Sequence, residues 1–430
     1  MTGEMIFTCL GKLPRRASKQ GEVDVTKSSK QDPDRESMRI LAPEGRRFSR
    51  RDMMKFAAFS TGAGLVGVPH DQFMLSHSSN LSALQAAAKR SLKAVGKINK
   101  NLYIYTWGQY DNPTTFSAFQ AGAKIQLQFG SYNSNEAMIA KLELAQGTAG
   151  YDIVVPTGGY IPEMVAKGLL VPLIKSKLQN FSKLDPKLLN FPWDKGNKYT
   201  VPKDFGTTGY IYDKTIIKRK MTTWSDFAKA AALPGVSGKV SLLDDPNDVM
   251  GIALWNAGIT WNTPNPAQLR TANKWLIKNL APHVSNFDSY PGGTGGLVNG
   301  SYVLSEAWNG DARQAIVHEP KRFAWVVPQP ASEIWVDNWA IAKGAKDLND
   351  AHAFIDYIID PVVAANEMVY TGYSQPVVGF KQFLPKNLPD TGMIFLTAEQ
   401  SKRLTSYVVN SSNNLRTQLY SEFKAATATG

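Results

Sequence analysis

The chain of 430 residues is 43% hydrophobic, 20% charged and 10% aromatic, with a formal net charge of +12. That is enough apolar material for two packed cores and excludes a disordered chain. The charge does not point to nucleic acid: residues 1–70 hold 13 Lys and Arg against 8 Asp and Glu, and the tight basic cluster beyond them is Lys218-Arg219-Lys220.

Residues 1–48 read as a polar leader, with Met38 expected as the true start. Ser49-Arg50-Arg51-Asp52-Met53-Met54-Lys55 resembles the twin-arginine export signature, with Met53-Met54 where Phe-Leu is usual. Residues 56–69 are weakly apolar and too few to span a bilayer, so 49–70 is read as a signal region and a periplasmic location is expected. The single cysteine, Cys9, precedes this stretch, so neither an internal disulfide nor a lipid anchor is expected. Residues 71–100 are expected to be a polar linker with room for a short helix.

Regular structure is expected from Leu102-Tyr103-Ile104-Tyr105-Thr106-Trp107, a strand by its aromatic and β-branched content. A helix follows over 116–121, then a strand over 124–129 with Ile125, Leu127 and Phe129 on one face. A second helix is expected over 136–145. Asp152-Ile153-Val154-Val155-Pro156 has the short continuous apolar run of a buried parallel strand. Alternating strands and helices predict an α/β fold. No HExxH, GxSxG or GxxxxGK[ST] pattern occurs, which argues against metal-dependent, serine-type and P-loop enzymes.

Sheets of this kind place ligands beyond the carboxyl ends of their strands. Trp107, the Thr157-Gly158-Gly159-Tyr160 turn, Asp245 and Trp308 each follow an expected strand end. Tryptophan beside carboxylate is the chemistry that holds an organic cation: the carboxylate neutralises an ammonium, and the ring face attracts it and covers its methylenes. Trp335 and Asp337 are two apart and so share one side of a strand. Other readings compete locally. Asp245-Pro246-Asn247-Asp248 is also a good helix start, and capping and binding can coexist because a carboxylate has two oxygens. Trp308 and Trp335 could equally be core.

At these residues the chain resembles the spermidine/putrescine-binding proteins of bacterial ABC importers. The markers run in order from Leu102-Tyr103-Ile104-Tyr105-Thr106-Trp107 through Leu242-Leu243-Asp244-Asp245, Trp308-Asn309-Gly310 and Trp335-Val336-Asp337 to Thr371-Gly372-Tyr373. The resemblance implies a type II periplasmic-binding-protein fold: α/β, two lobes, a ligand cleft between them. Lobe 1 would comprise 101–208 plus 334–383, and lobe 2 would comprise 209–333 plus 384–430. It implies a monomer that carries a polyamine to an ABC permease, with no catalytic role, cofactor or metal. Trp107 and Tyr110 match cleft-wall aromatics, and Thr157 matches a serine near an amine. Asp245 matches a carboxylate for one ammonium, and Asp248 replaces a glutamate on the same turn. Trp308 and Trp335 match rings along the methylenes. Asp337 matches the carboxylate for another ammonium, Tyr373 a hydroxyl-bearing ring, and Ser289 a minor contact. Gly159 stands where the family often has tyrosine, which leaves space by this reading, and Gly108 and Gln109 replace more polar residues. An amino acid, an opine or ferric iron in the same fold is the alternative cargo, with Arg313 as the candidate group for an amino acid's carboxylate. Converging carboxylates would have raised pKa values without ligand, so affinity should fall as pH drops.

Overall fold

The computed structural model describes residues 78–428 apart from 109, 148 and 294. The leader, the signal region and Met38 lie outside the described residues. Among the described residues no helix is long and apolar enough to cross a membrane.

Within the stretch read as a linker with room for a short helix, residues 78–91 form one. Helix α1 (Ser78–Ser91) packs on the body, with Leu84, Ala87 and Ala88 buried. Its partner is α2 (Pro113–Ala123), reached after strand β1 (Asn101–Trp107). Gly122 permits the contact, since a Cβ there would lie 2.5 Å from the Gln85 carbonyl oxygen. Strand β2 (Gln126–Tyr132) and helix α3 (Asn135–Leu144) fall where expected. Phe129, however, is 43% exposed and does not join Ile125 and Leu127 in the core. It stacks instead on Phe116 at the surface, with ring centroids 4.5 Å apart. Strand β3 (Ile153–Val154) lies parallel to β1 and is fully buried, as its continuous apolar run requires.

A short helix α4 (Ile161–Ala166) and strand β4 (Leu170–Val171) lead to the long strand β5 (Thr200–Asp213). Then come α5 (Trp224–Ala231), β6 (Val240–Leu242), α6 (Pro246–Asn256), α7 (Pro266–Asn279), β7 (Val284–Phe287), β8 (Leu304–Trp308), α8 (Asn309–His318) and β9 (Phe323–Val326). The second long strand, β10 (Ser332–Ala342), precedes α9 (Leu348–Ile358), α10 (Pro361–Thr371), α11 (Ala398–Lys402), β11 (Leu404–Thr405) and α12 (Asn413–Thr427).

The sheet runs β2-β1-β3-β10-β5-β8-β6-β7, with β4 and β11 on β10 and β9 on β5. The parallel pairs β1–β2 and β1–β3 lie on one side, and β6–β7 and β6–β8 on the other. The antiparallel pair β5–β10 joins them. Helix α12 packs on α6 and α7, which returns the C-terminal segment to the β6–β8 side. The carboxyl ends of β1, β3 and β8 therefore open toward the two strands that cross between the halves.

Candidate ligand-binding site

A cavity of about 790 Å³ lies at this crossing. Trp107 and Tyr110 reach it from the end of β1, Thr157 from the turn after β3, and Asp245 and Asp248 from the start of α6. Trp308 lines it at the end of β8, Trp335 and Asp337 on β10, and Tyr373 just after α10. Thus nine of the ten expected residues converge. Ser289 does not: it is buried, and its neighbour Tyr290 takes the place on the wall.

Aromatic rings form the walls. Trp107 and Trp308 meet edge to face at 6.0 Å, and Trp335 meets Tyr373 at 4.7 Å. The Trp107 indole N–H donates to the Val155 carbonyl at 3.1 Å, which fixes the ring. Trp335 fits because its partner on β5 is Gly206, where a Cβ would lie 2.3 Å from the indole.

At one end sits Asp337. Thr157 donates its hydroxyl at 2.6 Å and Tyr110 at 2.8 Å. Asn135 braces Thr157 from both sides, so the threonine positions the carboxylate. Burial, then the charge of Asp204, push Asp337 up to about 7 against the lowering effect of these two hydroxyls. Asp204 is directly across the strand pair, and the Tyr110 hydroxyl also donates to it. One phenolic proton therefore serves two carboxylates. Asp204 has its own cation: Lys203 Nζ is 2.9 Å from it and 3.2 Å from Asp111.

The other end is richer in acid. Asp245 caps α6, accepting from the N–H groups of Asn247 (2.7 Å) and Asp248 (3.1 Å). Both bonds land on Oδ1, which leaves Oδ2 for a second task. Asp248 and Glu333 share the Thr208 hydroxyl, at 3.2 and 2.6 Å. Glu306 is buried behind them, and its Oε1 has no hydrogen-bond partner. Burial first, then neighbouring carboxylates, hold Asp245, Glu306 and Glu333 well above their ordinary range. Asp248 is raised by burial, though Glu333, Thr208 and Trp308 donate to it. Asp311 also lines the cavity, accepts from Tyr373 at 3.1 Å, and is pushed up to about 7, chiefly by burial. Among the described residues, none of these carboxylates, Asp337 included, is ion-paired with Lys, Arg or His.

Glu333, Asp311, Tyr290 and Tyr407 were not among the expected wall residues. Glu333 was open to the reasoning that found Asp337, for residues 333, 335 and 337 share one side of β10. Asp311 follows Trp308 by three in the first turn of α8. Tyr290 and Tyr407 carry no local signal. Both fill gaps left by glycine. The Gly108 N–H donates to the Tyr290 hydroxyl at 2.9 Å, and a Cβ on Gly108 would lie 3.0 Å from that oxygen. Gly159 does not leave open space, contrary to expectation: a Cβ there would lie 2.2 Å from the Tyr407 carbonyl oxygen, so the C-terminal segment occupies the room. Arg313 is off the wall and donates to the Pro389 carbonyl at 3.3 Å. The cavity thus offers anionic ends and aromatic sides, which suits an organic cation and gives an acidic solute no counter-charge.

Residues 114–379 match the family model described as bacterial extracellular solute-binding protein. The chain is 32% identical over 342 residues to spermidine/putrescine-binding periplasmic protein 1 of Haemophilus influenzae, covering 79% of this chain and 93% of that one. It is also 32% identical over 329 residues to the spermidine/putrescine-binding periplasmic protein of Escherichia coli, covering 76% and 91%. Among solved structures, the spermidine/putrescine ABC transporter substrate-binding protein PotD from Streptococcus pneumoniae superposes with a TM-score of 0.62 at 29% identity, covering 76% of this chain and 100% of that one.

Proposed function

This chain belongs to the bacterial extracellular solute-binding proteins, in the spermidine/putrescine-binding group with the type II periplasmic-binding fold, and from that premise we propose that it captures a linear polyamine for an ABC permease. It is a transport component and not an enzyme. The observation that carries the cargo assignment is the set of buried carboxylates that face a tryptophan-walled cavity without a cation of the protein's own. Burying such charge is costly unless it is paired, and an alkylammonium supplies the pair.

In this reading Asp337 takes an ammonium at one end, oriented by Thr157 and Tyr110. Asp245 and Asp248 take ammonium at the other, Trp308 and Trp335 cover the methylenes, and Trp107 and Tyr373 close the sides. Ser289 is given no contact. The segments 101–208 plus 334–383 and 209–333 plus 384–430 act as lobes hinged at β5 and β10. The closed monomer is what the permease recognises, after twin-arginine export of the folded chain. The amino-acid and opine alternatives are disfavoured because no basic residue lines the cavity among the described residues, and the iron alternative because no group of three or more His, Cys, Asp or Glu among them is placed to hold a metal ion.

The test is calorimetric titration of the full chain, unfolded and refolded to strip ligand, with putrescine, spermidine and spermine. The expected result is a dissociation constant of about 1 μM or tighter for one of them. Heat from none of the three, with a folded protein, would overturn the assignment.

A further inference from the structure

We infer that Asp204 is a positioning residue: through the Tyr110 hydroxyl it keeps a proton on Asp337 in the ligand-free protein, so that this end of the cavity captures an ammonium by giving up that proton. The inference rests on the polyamine reading. Asp204 lies directly across the strand pair from Asp337 and does not itself line the cavity. The Tyr110 hydroxyl stands between the two carboxyl groups, against Asp204 Oδ1 on one side and 2.8 Å from Asp337 Oδ2 on the other. A hydroxyl carries one proton, so it fills one of these contacts at a time. With both acids ionised, the other contact would set two bare oxygens against each other. A second proton makes both contacts hydrogen bonds.

The surroundings decide which carboxyl group holds it. Lys203 Nζ lies 2.9 Å from Asp204 Oδ2, so a charged donor occupies the oxygen that Tyr110 leaves. The other oxygen of Asp337 has only the neutral Thr157 hydroxyl, at 2.6 Å. Asp204 is therefore the carboxylate and Asp337 the acid. The donors then run one way: Asp337 to Tyr110, and Tyr110 to Asp204. Asp337 is also faced by Tyr132 at the end of β2 and Tyr373 after α10, while Asp111 and Glu367 face Lys203. Burial first holds the phenols of Tyr110, Tyr132 and Tyr373 well above their ordinary range, so they stay neutral. Burial, then the charge of Asp204, push Asp337 up to about 7. Burial raises Asp204 too, and Lys203 is the chief influence that lowers it.

When an alkylammonium arrives, Asp337 releases its proton to solvent and pairs with the ammonium as a carboxylate. The Tyr110 O–H is then free to turn to Asp337, because Asp204 keeps Lys203.

Calorimetric titration of the stripped full chain with spermidine at about pH 6, in buffers of different ionisation enthalpy, counts the protons released per amine. The unsubstituted chain should release protons, and Asp204→Asn should release about one fewer. The asparagine amide donates to the phenol oxygen and turns its proton to Asp337, which is then ionised before ligand arrives. Asp311 and the other wall carboxyl groups are present in both proteins, so the difference isolates Asp337. The variant keeps Lys203 paired with Asp111 at 3.2 Å, and a role in packing alone would leave the count unchanged. Infrared difference spectra of the unsubstituted chain need no variant: a protonated-carboxyl C=O band should disappear as spermidine binds. Binding without proton release, an equal count in Asp204→Asn, or persistence of that band overturns the inference alone. Spermidine that does not bind the unsubstituted chain would overturn the polyamine reading, and the inference with it.

Discussion

Buried carboxylates occur on both crossing strands of this protein, and their surroundings differ. Asp204 on β5 has Lys203 at 2.9 Å, and the same ammonium reaches Asp111 at 3.2 Å and lies 3.6 Å above the Tyr110 ring. Burial by itself would lower the pKa of Lys203, but Asp111 and Asp204 hold it above its ordinary value. On β10, Asp337 is also buried and has hydroxyl donors only, from Tyr110 and Thr157, while Glu333 accepts from Thr208 and donates to Asp248. The first set has its cation within the chain. The second lacks its counter-charge. A buried acid with a resident lysine serves the scaffold, and we propose that a buried acid facing a cavity with donors but no cation receives the ligand.

The largest expected effect tests the complete set. Lys203→Met leaves Asp204 and Asp111 buried and unpaired, and should lower unfolding free energy by about 3–5 kcal/mol in urea denaturation of the ligand-free protein. Unchanged stability would remove the distinction between the two sets. Asp337→Ala tests the incomplete set. It should weaken amine binding by about 2–5 kcal/mol in calorimetric titration, because a desolvated ammonium loses its partner. A loss under about 0.5 kcal/mol would take Asp337 out of the site.

A smaller effect concerns the wall. Gly159→Ala drives a methyl into the Tyr407 carbonyl and should cost about 1–3 kcal/mol in thermal or urea unfolding, with weaker amine binding as Tyr407 shifts. Full stability would show that the C-terminal segment yields freely. The most gradual effect is with pH. Burial chiefly pushes Asp337 and Asp311 up to about 7, above the ordinary carboxylate range. The empty protein gains from holding them protonated, so that stability is complete below about pH 4 and is lost as pH rises through 7. Ligand needs them ionised, so amine affinity should rise with release of protons between about pH 4 and 7 and level off above. Thermal unfolding of the stripped protein across that range, with and without spermidine, should show the two trends diverging. Parallel curves would contradict the assignment of these groups to the site.

Much of this was legible in the residues. β1 and β3 announce themselves by β-branched and continuous apolar runs, and Asp337 by its spacing from Trp335. Glu333 obeys the same alternation and needed only one more step along the strand. Tyr407 and Tyr290 were out of reach because each enters from a distant segment into space left by a glycine, and a glycine does not announce what fills it. The packing of α1 was hidden for a different reason. Its buried stripe of Leu84, Ala87 and Ala88 is small and set among polar residues, so its composition reads as linker. Lys203 gives no sign in sequence of being buried; only the fold brings Asp111 beside it.

The most direct test is a crystal structure of the stripped protein with spermidine. The amine should lie along β10, with one terminal nitrogen about 2.8 Å from Asp337, the other beside Asp245 and Asp248, and methylenes against Trp335 and Trp308. An amine bound elsewhere, or lying in the cavity with its nitrogens away from these carboxylates, would contradict it.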